Sequence, residues 1–233
     1  MRRLPAPPKV LILALAAIAG VQAPAALASC NQMPGQGVDW TGCMKTGLYL
    51  AGDAMTGAKL DRATLSSTNL TGADLTGASL VKATLTATNF AGAKLVGANL
   101  SDAAGTRSNF TGADLSKARL DKSELFRSRL GKANLSGAFV IGTQLVRATL
   151  TGARLDGADL TYANLARADL RQAALDGTTL QSSYLFRTRL EGVDLSKAKG
   201  LEATQLAAAC GDAETKLPPG LAKPGNWPCP SSE

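Results

Sequence analysis

From Leu50 to Leu195 every fifth residue is apolar, and 25 of these thirty positions are Leu, the others being Met55, Phe90, Gly105, Phe110 and Val140. Two residues before each stands a small side chain, Ala, Ser or Thr in 27 of the thirty, with Leu48, Asp53 and Val193 as outliers. A period of five matches neither the 3.6 of a helix nor the 2 of a half-buried strand. Both recurring positions must still reach one dry region, because nothing else in the unit is consistently apolar. A chain that makes a quarter turn every five residues meets that demand. Each short side then points its Leu into a narrow axis, and the small residue fits the corner, where a bulkier one would clash. Four sides make one coil, and coils stack through backbone hydrogen bonds at roughly 4.8 Å. Gly72, Gly77, Gly92, Gly97, Gly152 and Gly157, each after the apolar position, relieve the turn.

The segment "ELFRSRLGKANLSGA", Glu124 to Ala138, returns sixty residues later as "YLFRTRLEGVDLSKA", Tyr184 to Ala198. Sixty residues are three full coils, so both copies fall on the same faces. The run from Thr46 to Leu195 holds thirty units, which predicts a rod of about 36 Å. With its A-(N/D)-L-x-G motif, as in "TGADLTGASL" from Thr71 to Leu80, the stretch from Val38 to Ala198 resembles the pentapeptide-repeat family. The resemblance implies an all-β fold, a right-handed quadrilateral β-helix, and terminal elements that close its ends. It does not imply one function. Some members imitate duplex DNA and inhibit topoisomerase, as acidic, cytoplasmic, usually dimeric rods; this chain departs from them in charge and in its leader.

The leader "MRRLPAPPKVLILALAAIAGVQAPAALASC" has a basic start, an apolar run from Val10 to Gly20 and an Ala26-Leu27-Ala28 cleavage site, which predicts a signal peptide over 1–28 and a periplasmic or secreted protein. Losing Arg2, Arg3 and Lys9 with it leaves 22 basic and 18 acidic side chains, a net of +4. That mild excess gives no reason to expect nucleic acid as a partner. No later segment resembles a transmembrane span. Two fates are open to Cys30. Leu27-Ala28-Ser29-Cys30 resembles a lipobox, which would anchor the chain to a membrane through a lipid on Cys30; otherwise Cys30 pairs with Cys43, and Cys210 with Cys229, as suits an oxidising compartment. Four cysteines in two widely separated pairs, with no His in the chain, give no reason to expect a metal site. The expected organisation is an N-terminal cap over 29–45 with Val38 and Trp40 entering the register, the β-helix over 46–198, and a C-terminal part over 199–233. This last part begins with a capping helix over Glu202 to Ala209, with Leu201 and Leu206 covering the last coil, and continues as a disulfide-pinned tail irregular at Pro218-Pro219 and Gly225.

Residues twenty apart lie above one another. Phe90 and Phe110 should stack in the axis, and Thr68, Thr88, Ser108 and Ser128 should hydrogen-bond to backbone at one corner. Gly105 removes a large side chain from the axis and marks a candidate weak coil. On the surface, Arg107, Arg127, Arg147, Arg167 and Arg187 recur at intervals of twenty, with Arg129 and Arg189 around the same corner. Glu124 and Glu191 are the acids near enough to balance them. Phe126, Val146 and Phe186 run beside this ladder, interrupted by Ala166. Cations beside exposed apolar groups suit an anionic partner, either a protein or an envelope component. A chain without His, paired carboxylates or a phosphate-cradling loop offers no catalytic residues and no cofactor site. The functional expectation is a non-enzymatic exported scaffold binding through the candidate face of Arg107, Arg127, Arg147, Arg167, Arg187, Arg129, Arg189, Phe126 and Phe186. The alternative is a passive or lipid-anchored spacer of the cell envelope.

Overall fold

A computed structural model describes residues 30–229; the expected signal peptide at 1–28 lies outside the described residues. The five-residue unit is one side of a coil, and Leu70-Thr71-Gly72-Ala73-Asp74 shows where its backbone bonds go. Leu70 N–H donates to Asn89 O of the next coil, Gly72 N–H to Ala91 O, and Asp74 N–H to Asp53 O of the coil below; Ala73 N–H closes the turn on Leu70 O. The remaining amide, Thr71 N–H, donates to the side chain of Asn69. All five amides are satisfied, which is what a buried stack requires. The last bond also explains the Asn or Asp of the motif, whose part the five-residue period by itself leaves open. Placed just before the apolar residue, it accepts from the first turn amide, as Asp74 does from Thr76, Asp114 from Ser116 and Asp159 from Thr161. Each side contributes one parallel bridge residue, paired twenty positions on, from Asp39↔Lys59 to Thr179↔Lys199. A side this short makes a bridge and no extended strand.

The axis is filled by the two recurring positions. Phe90 and Phe110 stack as expected, ring centroids 4.8 Å apart and planes within 4°. Hydroxyls of Thr68, Thr88, Ser108 and Ser128 donate to Lys45 O, Leu65 O, Leu85 O and Gly105 O at 2.6–2.8 Å. Gly105 leaves no open vacancy: a Cβ added there would lie 2.8 Å from Leu125 Cδ2 and 3.2 Å from Ser108 Oγ. The Leu of the next coil leans into the space, so the expected defect is largely filled.

At the N-terminal end Trp40 is buried and its indole N–H donates to Gln32 O at 3.0 Å. The ammonium of Lys45 lies 4.0 Å over that ring and donates to Cys30 O. Cys30 and Cys43 form a disulfide, Cα atoms 5.5 Å apart. This is the pairing expected where Cys30 carries no lipid. At the other end Ala203–Ala208 forms a helix, α1, inside the expected range. Leu206 is buried and Leu201 packs on the core. The Gln205 amide donates to Leu180 O and Ser183 O at 2.9 and 2.8 Å, and its oxygen accepts from Glu202 N–H.

Part of the tail is ordered against the last coils. Beyond α1 the chain rejoins the stack, Cys210 pairing with Arg189 and Lys216 with Asp194. The upward-facing amides of Leu190 and Leu195 need acceptors, and Cys210 O and Lys216 O supply them. The Thr215 hydroxyl donates to Leu190 O, repeating the corner bond of the lower coils. A second disulfide, Cys210–Cys229, and the Trp227 indole donating to Ala209 O fasten the last residues. Among the described residues no helix is long and apolar enough to cross a membrane.

Candidate binding face

The second turn residue of each unit carries the ladder. Arg107, Arg127, Arg147, Arg167 and Arg187 have φ between 53° and 61°, and all five are exposed. Their backbones are pinned by the strip beside them. The amides of Arg107, Arg127, Arg147 and Arg167 donate to the carbonyls of Phe126, Val146, Ala166 and Phe186 at 2.8–2.9 Å, and Arg187 N–H donates to Ala208 O. Ladder and strip are therefore one hydrogen-bonded corner, with guanidinium groups projecting at the coil pitch, roughly 4.8 Å.

The counter-charge expected from Glu124 and Glu191 is not supplied to this column. Glu191 pairs instead with Arg189 at 3.3 Å, and Glu124 enters no ion pair among the described residues. Seven cations elsewhere on the rod do pair with acids: Lys94, Arg119, Arg154, Arg171, Arg189, Lys197 and Lys216. Arg171 clamps Asp169 through Nε and Nη2 at 2.9 and 2.7 Å. None of the five ladder arginines has such a partner among the described residues. The turn position does not by itself forbid pairing, since Lys197, at the equivalent place in its unit, reaches Asp176 at 2.7 Å; along the ladder no acid lies within ion-pair distance among the described residues. Arg129 is exposed on the neighbouring side, and Arg189 is half-buried and already engaged, so the two do not contribute equally to the face.

The apolar strip is shallower than expected. Phe126 and Val146 are half-buried, Ala166 is buried, and only Phe186 stands out, at 39% exposure. Tyr184, 55% exposed, stacks on Phe186 with centroids 6.2 Å apart and planes 13° from parallel, while Arg187 lies 5.9 Å from the Phe186 ring centroid. Tyr184 is absent from the face expected from the sequence, although its place immediately before the inward Leu185 marks it as facing outward. No metal-holding group of His, Cys, Asp or Glu occurs among the described residues.

A family model described as pentapeptide repeats matches residues 55–86, 83–121, 123–161 and 163–199, in eight copies. No curated protein matches the chain. Among solved structures, the chain is similar to HetL, a pentapeptide repeat protein involved in heterocyst differentiation regulation from the cyanobacterium Nostoc sp., at 24% identity over 82% of this chain and 87% of that one, with a TM-score of 0.48. It is similar to QnrB1, a plasmid-mediated fluoroquinolone resistance protein, at 20% identity over 70% of this chain and 93% of that one, with a TM-score of 0.44. A third is a pentapeptide repeat protein from the thylakoid lumen of Arabidopsis thaliana, 24% identical over 43% of this chain and 67% of that one, with a TM-score of 0.33. The matched segments account for most of the stacked coils, in the same five-residue register that the bridges and the buried axis display; the chain belongs to the pentapeptide-repeat family.

Proposed function

We propose that this protein is a non-enzymatic, exported repeat scaffold that binds an anionic partner along the corner of Arg107, Arg127, Arg147, Arg167 and Arg187. In this reading the rod winds right-handed with four sides, as the family resemblance implies, and α1 serves as its cap. One observation carries the reading: five arginines stand exposed in a single line over consecutive coils with no acid partner among the described residues, whereas the other cations without one do not line up over so many coils. Like charges held at such a spacing repel one another, and an anion lying along them removes that repulsion. Export is supported by the leader sequence and by two disulfides, one at each end of the described chain.

The test is co-purification of the mature protein from its own cell envelope at low and moderate salt, beside a variant with the five arginines changed to glutamine. The expected result is one co-purifying component, lost with added salt and lost from the folded variant. Identical behaviour of the two proteins would leave a passive spacer whose arginines are solvated surface.

A further inference from the structure

We propose that the ladder's partner is a linear glycan bearing carboxylates, a polyuronate, lying parallel to the rod axis. The inference rests on the binding reading above and names the chemistry of the ligand. Its first support is the geometry of the charges. The arginines occupy consecutive coils at one corner, so their spacing is the coil pitch of roughly 4.8 Å, close to the length of one sugar unit in an extended chain. A planar guanidinium takes a carboxylate through two parallel hydrogen bonds, which a point charge cannot do. Because four ladder amides are hydrogen-bonded to the next coil and that of Arg187 to α1, the backbone spacing is fixed before any ligand arrives, and less order has to be imposed on binding.

The second support is the aromatic pair at one end of the line. Tyr184 and Phe186 have nearly parallel ring planes, are exposed, and lie next to Arg187. A pyranose presents a flat face of C–H groups that packs on such rings, while its carboxylate meets the cation beside them. Neither an isolated phosphate nor a metal complex makes use of both features.

A membrane surface fits less well. An edge that enters a headgroup layer needs apolar side chains protruding along its length, and beside the ladder Phe126 and Val146 are half-buried and Ala166 is buried. Duplex nucleic acid fits less well too, since one row of cations on a convex corner follows a single line of charge.

The experiment is titration calorimetry of the mature, disulfide-bonded protein with oligogalacturonates of increasing length, with a methyl-esterified chain of equal length, with phosphatidylglycerol vesicles and with single-stranded DNA. Affinity is expected to rise with oligogalacturonate length and level off once the rungs are occupied. Esterification, or Arg→Gln at all five rungs, should weaken binding about tenfold or more, the equivalent of about 1.4 kcal/mol. Tyr184→Ser with Phe186→Ser should weaken it severalfold without changing its salt dependence. An Arg→Gly set at the same five positions, which suits their positive φ, repeats the test in a second background in case the glutamine set folds poorly. Equal binding of the esterified chain, or no effect of the aromatic substitutions, would overturn the glycan assignment. Tighter, ladder-dependent capture of vesicles or DNA would overturn it too while leaving the anion-binding reading intact. Failure of every anionic probe to bind would overturn both.

Discussion

The second turn residue lies in the left-handed region in every unit from Gly37 to Gly192, with φ running from 53° at Arg187 to 76° at Gly52. Glycine adopts that region freely, whereas an L side chain there brings Cβ toward the following carbonyl at a cost of about 1 kcal/mol or more. Gly97→Ala should therefore lower stability by about 1 kcal/mol, although nothing lies within 4 Å of the added Cβ. Arg127→Gly, at φ 55°, should leave stability unchanged or raise it by up to about 1 kcal/mol. Urea midpoints of the two variants against the parent check both signs, and a loss in Arg127→Gly would mean that its side chain contributes to folding. The ladder thus occupies, in five successive coils, a site where glycine is the less strained choice. At this scale the sequence shows which positions point inward, because periodicity alone decides that. It does not show which neighbour fills the space at Gly105, since Leu125 reaches it through the third dimension.

Within a coil, the motif's Asn or Asp acts on the turn that follows it, and at the C-terminal end the same chemistry holds the last stacked segment. Asp194 accepts from the Ser196 hydroxyl and amide and from Lys216, and these contacts hold its carboxyl below the usual carboxylate range. Because the folded value is the lower one, the contribution to stability is complete above the unfolded value of about 3.9 and declines as pH falls further. Acid should erode that contribution below about pH 4, while the Asp194–Lys216 contact itself persists until pH falls through the lower folded value. Hydrogen exchange at the Lys216 amide, which donates to Val193 O, should accelerate there in the parent and vary less with pH in Asp194→Asn. A second prediction concerns α1. Gln205→Ala leaves Leu180 O and Ser183 O without the side-chain donor they have now, and should cost about 1–3 kcal/mol. Faster exchange confined to the end of the stack would confirm the capping role, and a uniform loss across all coils would contradict it. The helix was legible in the sequence because the five-residue period stops after Ala198. The re-entry at Cys210 and Lys216 was not, because those residues carry no apolar period and are fixed by the amides of Leu190 and Leu195, which need acceptors.

Taken whole, the molecule is a stack in which each coil touches its neighbours alone, with a disulfide at each end. In a repeat array the ends open first. Each bridge closes a loop of thirteen or nineteen residues and is worth about 3 kcal/mol in the chain-entropy account. Reduction should lower the melting temperature and expose the amides of both ends, while the middle coils around Phe90 and Phe110 stay protected; hydrogen exchange with and without reductant measures this. The candidate face was legible as a column, since intervals of twenty bring the arginines together. Its lack of acid partners was not, because Glu191 turns to Arg189 on the next side. The bridge spacing also gives this chain a second reading frame, twenty residues long. A deletion of one frame shortens the rod and leaves every face in line. A deletion of a quarter frame keeps Leu in the axis and every turn intact, yet rotates all that follows to the next corner, so a cut between Arg147 and Arg167 would yield a stable protein whose arginine line is broken in two.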